Sequence, residues 1–182
     1  MPRTLPSRAT YEDYLQLSDD GRRYEILDGE IYVAPTPSTR HQYASFQLQK
    51  ILADYFDHPA AHLVLAAPFT VRLADDDVVE PDLVVVARGP QLSEHGVDGP
   101  PLLIVEILSP GRPAYDRKLK ARRYQVRHVA NYWIVDPQAR TLECFRLVGD
   151  AYELEASGAD AEPLRVSSFE GLEIPLGQLW LD

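Results

Sequence analysis

The chain has 182 residues, of which 45% are hydrophobic and 25% charged, and a formal net charge of −10 at pH 7. That length suits one domain whose core needs no disulfide or structural metal, and the acidic balance argues against a protein that coats nucleic acid regardless of sequence. The only cysteine is Cys144, and no apolar run reaches the length of a membrane span or has the form of a secretory leader, so a cytoplasmic protein with no membrane partner is expected.

Thr10 is a candidate N-cap for a short helix, YEDYLQL, with Asp13 as its capping-box partner. RRYEIL and EIYVAP flank Asp28-Gly29, the dipeptide of a type I′ hairpin turn, and Pro35 and Pro37 end the second strand. Ser38 or Thr39 would cap a helix over roughly 40–56, where Ala44, Leu48, Ile51, Leu52 and Tyr55 recur at helical spacing. His41 extends that face by one turn at the N-terminal end. HLVLAAPFTVRL (62–73) reads as one bent strand or two short ones around Pro68, ADDD (74–77) as a charged turn, VVEPDLVVVA (78–87) as a strand and PQLSEHGVDGPP (90–101) as a polar loop. LLIVEILS (102–109) is apolar on both faces apart from Glu106, which predicts an interior strand beside 78–87. After SPGRP (109–113) a basic helix is expected over 114–127, followed by a strand, VANYWIVDP (129–137). TLECFRLV and AYELEA would form a hairpin around Gly149-Asp150, and the tail FEGLEIPLGQLW would pack back on the body. This order implies a mixed sheet with helices against it, an undivided α/β domain.

The chemistry concentrates in the middle of the chain. Asp82 follows Pro81, and Glu106 stands between Val105 and Ile107. A carboxylate buried on a central strand needs a cation. A lysine or arginine would serve, as would a metal, and the sequence leaves both open. Carboxylates suit Mg²⁺ or Mn²⁺, which keep several waters and share phosphate oxygens of a substrate. An ion so held stabilises a phosphoryl transition state and lowers the pKa of a bound water. Lys120 would orient that water or offset developing charge. On an α-helix Asp116, Lys120 and Tyr124 share a face, which Lys118 does not. Each residue also has a plain structural role: a turn acid at Asp82, an i,i+4 ion pair of Asp116 with Lys120, a core tyrosine at Tyr124, a satisfied histidine at His41. Between Arg112 and His128 stand seven basic residues and one acid. That stripe is either a solvated helix face or a phosphate-contacting surface, with Arg112, Arg117 and Arg123 as the nucleic-acid-binding candidates.

Five segments carry a joint pattern: YEILDGEIYVAPTPSTRHQ (24–42), PDLVVV (81–86), IVEILSP (104–110), the trio Asp116, Lys120 and Tyr124, and YWIVDP (132–137). Together they resemble the Uma2 (DUF820) family of restriction-endonuclease-like proteins, within the PD-(D/E)XK nuclease superfamily. The resemblance implies a single nuclease-like domain over 1–182. Its expected architecture is an αβββαβ core with a mixed central sheet and added N- and C-terminal β-hairpins. It further implies a metal-dependent endonuclease acting on DNA, with Asp82 and Glu106 as metal ligands, Lys120 as the third catalytic residue, and Mg²⁺ or Mn²⁺ as cofactor. Glu25 and His41 match family positions and, with Asp116, are accessory candidates. The superfamily's lysine usually stands two residues after the second acid. That position is Leu108 here, so Lys120 takes the role by resemblance. A catalytically inactive binding or assembly module of the same fold is the alternative, and a hydrolase of small phosphoesters a weaker one. Because double-strand cleavage commonly uses two copies, a homodimer is expected, with Tyr152, Phe169 and Trp180 as its apolar surface.

Overall fold

The computed structural model describes residues 8–17, 20–56, 61–109 and 115–181, with the backbone alone at 115–117. A short helix, α1 (Tyr11–Tyr14), precedes a hairpin of β1 (Arg23–Leu27) and β2 (Glu30–Ala34). Helix α2 (Thr39–Phe56) leads to β3 (His62–Ala66), β4 (Val71–Ala74), β5 (Asp77–Val79) and β6 (Leu83–Ala87). A small hairpin, β7 (Leu92–Ser93) and β8 (Gly96–Asp98), comes before β9 (Leu103–Ile107). A π-helical turn (Tyr115–Lys120) runs into α3 (Ala121–Val126), and then come β10 (Asn131–Asp136), β11 (Thr141–Val148), β12 (Ala151–Ala159), β13 (Pro163–Arg165) and β14 (Glu173–Pro175). Among the described residues no helix is long and apolar enough to cross a membrane.

The strands of the described residues form two six-stranded sheets, ordered β2-β1-β5-β4-β8-β7 and β12-β11-β10-β9-β6-β3, and a β13-β14 pair. Both large sheets are mixed, because β9 and β10 run parallel, as do β4 and β8. A parallel pair needs a crossover, and between β9 and β10 the π-helical turn and α3 lie on that path. The two-residue turn of the first hairpin has φ of 53° at Asp28 and 77° at Gly29, the positive pair that a type I′ turn requires.

Strand β9 is interior, flanked by β6 and β10, as its apolar sequence predicts. Its two faces feed two cores. Leu103, Val105 and Ile107 pack with Ala44, Leu48, Leu52 and Phe56 of α2 and with the C-terminal tail. Ile104 packs with Leu27, Val71, Val79 and Val97 of the other sheet and with Tyr124 of α3. The space between the sheets is therefore apolar in its middle, and the polar residues gather at one end of it.

Several expectations need correction. The run 78–87 is not one strand: β5 and β6 lie in different sheets, and Glu80-Pro81-Asp82 carries the chain between them. Proline, having no N–H to offer a ladder, suits that crossing. Asp77 is not in the charged turn; it begins β5 and is fully buried. The polar loop 90–101 contains the β7–β8 hairpin, which joins the first sheet. The basic helix begins with a π-helical turn, so α-helical spacing does not hold across 115–120. Phe169 and Trp180 are buried in the domain's own core, and Tyr152 packs against a core cluster and donates to the Val129 carbonyl at 2.8 Å. The three aromatics assigned to a dimer face are thus used within the chain.

Candidate active site

Five polar side chains meet at one end of the inter-sheet space, although Glu25, His41, Asp82, Glu106 and Lys120 are only 1, 4, 6, 3 and 4% exposed. Strands β6 and β9 pair antiparallel with Leu83 opposite Val105 and Val84 opposite Ile104. Extending that register by one step sets Asp82 opposite Glu106. Facing residues of an antiparallel pair project from the same side of the sheet, with Cβ atoms about 4.5–5.5 Å apart. Asp82 keeps the extended course of β6, since its carbonyl accepts the Ala67 N–H at 3.0 Å.

Each carboxylate is held by named donors. Asp82 Oδ2 accepts the Ile107 N–H at 2.8 Å and lies 3.1 Å from His41 Nε2, while Oδ1 has the Arg23 guanidinium at 3.9 Å. Glu106 receives the Lys120 ammonium on both oxygens at 3.0 Å and the Tyr124 hydroxyl on Oε1 at 2.5 Å. Lys120 also donates to Glu25 Oε1 at 2.8 Å, and that oxygen accepts the Glu80 N–H at 3.0 Å. The sequence left open whether Glu106 is matched by a cationic side chain; it is, and the side chain is Lys120. Burial, reinforced by the Glu106 and Glu25 charges, holds the Tyr124 hydroxyl well above the ordinary tyrosine range, so it remains a donor.

These groups line a cavity of ≈ 40 Å³ walled by Arg23, Glu25, His41, Glu80, Asp82, Glu106, Ser109 and Lys120 among others. That is room enough for water. Arg23, His41, Glu80 and Asp82 also line a groove of ≈ 720 Å³ that continues past Arg22, Thr36, Gln42, Ser45 and Pro68. The small cavity holds four carboxylates against two permanent cations, Arg23 and Lys120. His41 Nδ1 and Glu80 Oε2 are buried there without a hydrogen-bond partner among the described residues. The site therefore has surplus negative charge and unspent acceptors, and its oxygen donors are of the kind hard divalent cations take. Among the described residues no three His, Cys, Asp or Glu side chains stand close enough to hold a metal by themselves. An ion here would depend on two carboxylates and retained water, the manner in which Mg²⁺ is usually held.

The structure brings together Asp82, Glu106, Lys120, Glu25 and His41 of the predicted set. Arg112 lies outside the described residues, as do the side chains of Asp116 and Arg117. Arg123, a nucleic-acid-binding candidate of the basic stripe, is engaged within the chain. Its side chain is only 12% exposed, and its guanidinium is spent on Asp77, with Nε to Oδ1 at 2.9 Å and a terminal nitrogen to Oδ2 at 2.6 Å, with Asp28 at 3.2 Å. Arg127 joins the same cluster, to Asp77 at 2.5 Å and Asp76 at 2.6 Å. Burial works to raise the Asp77 pKa, but the Arg123, Asp28 amide and Arg127 hydrogen bonds outweigh it and hold the carboxyl below the usual range. Sequence reasoning missed Glu80, Arg22, Arg23 and Asp77. Glu80 carried a signal, since it sits beside Pro81 in the stretch that bears Asp82. Asp77 carried none apart from a flanking acidic run that reads as a turn.

A two-sheet α/β domain with a strand-borne acid pair and a buried lysine beside it is the class that fold and site define. The chain belongs to the Uma2 family: the model of that family, described as a putative restriction endonuclease, matches residues 11–177. The uncharacterized protein slr1290 of Synechocystis sp. is 28% identical over 114 residues, which cover 62% of this chain and 60% of that protein. The chain also shares its fold with a crystal structure of a putative nuclease belonging to DUF820 from Anabaena variabilis. That likeness has a TM-score of 0.76 at 18% identity and covers 93% of this chain and 96% of the other.

Proposed function

We propose that this chain is a metal-dependent endonuclease that hydrolyses DNA phosphodiester bonds, with Mg²⁺ or Mn²⁺ held by Asp82 and Glu106 together with water. The observation that carries the reading is the pairing of β6 with β9, whose register sets the two acids on one side of the sheet beside the Lys120 ammonium. Membership of the Uma2 family supports it. A bound divalent ion supplies Lewis acidity towards phosphate oxygens and a water of lowered pKa.

The chain's own residues do the rest. The Ile107 amide and His41 occupy Asp82 Oδ2 and leave Oδ1 as the oxygen with only a distant guanidinium partner. Tyr124 and Lys120 fix the plane of the Glu106 carboxylate. Glu25 holds Lys120 from the opposite side and so acts as a positioning residue. The Lys120 ammonium, whose donors go to Glu25 and both Glu106 oxygens, would offset charge on the phosphoryl group as it develops, and would orient the attacking water where a bound ion draws Glu106 away from it. Cutting both strands of a duplex would use two copies of the chain; such a homodimer would pair through a face other than Tyr152, Phe169 and Trp180.

The test is cleavage of supercoiled plasmid and of single-stranded DNA with Mn²⁺, Mg²⁺ or EDTA, comparing wild type with Glu106→Gln. Metal-dependent cutting by wild type, reduced about 10²–10³-fold or more in the variant at an unchanged fold, is expected. Folded wild-type protein that cuts neither DNA with either metal would leave the binding or assembly module as the reading.

A further inference from the structure

The groove that reaches the acid pair carries two arginines that are barely engaged. Arg22 has an ion-pair contact to Asp20 at 3.4 Å and is 65% exposed along its side chain. Arg23 reaches the Pro35 carbonyl at 3.5 Å and Asp82 Oδ1 at 3.9 Å. Both are outside the range of a strong charge-assisted bond, about 2.7–2.9 Å. The contrast with α3 is direct, because Arg123 and Arg127 contact Asp77 and Asp76 at 2.5–2.9 Å. A guanidinium already forked onto a buried carboxylate has little left for a phosphate; one resting on a long contact keeps its planar fork. Arg22 and Arg23 line the groove together with Thr36, Gln42 and Ser45. His41 lines the same groove, and its Nδ1 is buried without a hydrogen-bond partner among the described residues. Arg23 alone of the two also lines the small cavity with Asp82 and Glu106.

We infer that a DNA strand is bound along this groove, between the β1–β2 hairpin and the N-terminal end of α2, with Arg23 on the phosphate at the acid pair and Arg22 on its neighbour. The inference rests on the nuclease reading for its substrate, and it moves the phosphate-contacting surface from the α3 stripe to the groove lined by Arg22 and Arg23. Arg23 beside Asp82 has a further consequence. Without substrate its positive charge faces a carboxylate, and with substrate it faces a phosphate, so the same side chain serves both states without reorganisation of the strand.

The experiment measures binding of fluorescein-labelled single-stranded and duplex DNA by full-length protein in EDTA, as a function of salt. Wild type is compared with Arg22→Ala/Arg23→Ala, Arg23→Lys, and Lys118→Ala/Arg122→Ala, two exposed residues of the π-helical turn and α3. The groove double variant should lose about tenfold affinity or more per arginine. Its log–log salt slope should fall by about 0.9 per lost duplex contact, or about 0.7 per single-strand contact. Its melting temperature should stay close to the wild-type value, because the contacts removed are long: 3.4 Å for Arg22, and 3.5 and 3.9 Å for Arg23. Arg23→Lys should recover only part of the affinity, since an ammonium cannot make the bidentate contact. The α3 variant should bind like wild type. Unchanged binding and salt slope in the groove variant, or the whole loss falling on the α3 variant, overturns the inference. Plasmid cleavage separates the two claims. Wild-type-like cutting by the groove variant sinks the groove and leaves the nuclease standing. Arginine-dependent binding without any cutting sinks the nuclease and leaves the groove.

Discussion

Replacing Asp77 by alanine removes a carboxylate with no solvent exposure and four hydrogen bonds: two from Arg123, one from Arg127 and one from the Asp28 amide. Arg123, whose side chain is 12% exposed in the intact protein, then loses both of its hydrogen bonds to Asp77 and keeps Asp28 as its remaining close ion-pair contact. Removing one partner of a buried pair costs about 3–5 kcal/mol, far above the 0–1 kcal/mol of a surface pair. For a domain of this size each kcal/mol shifts the melting temperature by about 2–4 °C, so the variant should melt about 6–20 °C lower. Thermal unfolding should be joined by a urea titration in which the midpoint falls at constant slope. The double variant Asp77→Ala/Arg123→Met should melt higher than Asp77→Ala alone, because it removes the stranded charge as well. A single-variant loss below 1 kcal/mol, with no recovery in the double variant, would refute the view that this cluster is a buried ion-pair network.

The same carboxyl predicts the acid limb of stability. Its folded pKa lies below its unfolded value of about 3.9, so its contribution is fully present above that pH and is lost as pH falls through the lower folded value; unfolding free energy measured from pH 6 to pH 2 should fall less steeply below pH 4 in Asp77→Asn than in wild type. Lys120→Met should destabilise the metal-free protein by about 3–5 kcal/mol, since Glu25 and Glu106 lose the cation between them. Added Mn²⁺ should then raise the melting temperature more in the variant than in wild type, and equal shifts would count against a metal resting on Glu106.

What was legible in the sequence was decided locally. The first hairpin followed from Asp28-Gly29 between β-prone runs, and the interior position of β9 from its unbroken apolar character. Asp82 and Glu106 could be singled out because a charge on such a strand stands out. What stayed hidden was decided by contacts far along the chain. Lys120 and Glu25 are 95 residues apart, and Asp77 and Arg123 are 46 apart. Nothing in ADDD distinguishes the acid that begins a strand from the two that form its turn. The basic stripe was only partly legible for a related reason. Composition gives the charges of α3 but not which of them meet buried carboxylates, and Arg123 and Arg127 do. The helical spacing of Lys120 and Tyr124 did carry through, since both reach Glu106, while the π-helical turn removes α-helical spacing as a guide ahead of them.

The position of the lysine ties the two charge clusters together. A lysine on β9 would be aimed by the sheet itself, through the pleat and the ladder. Lys120 instead stands where the π-helical turn meets α3, on a crossover whose orientation the β9–β10 ladder does not dictate. Something else has to fix it, and the contacts show what does. On one side of α3, Tyr124 reaches Glu106. On another, Arg123 and Arg127 clamp Asp77 of β5, with Arg123 also touching Asp28 in the β1–β2 turn. Strand β1 in turn carries Glu25, which holds the Lys120 ammonium. The loop of contacts is closed: the Asp77 cluster sets α3 against the first sheet, α3 presents Lys120, and the first sheet supplies the acid that receives it. A cluster that takes no part in the proposed chemistry thereby sets the geometry of the group that does. On this reasoning Asp77→Asn should lower cleavage more than its loss of stability alone explains.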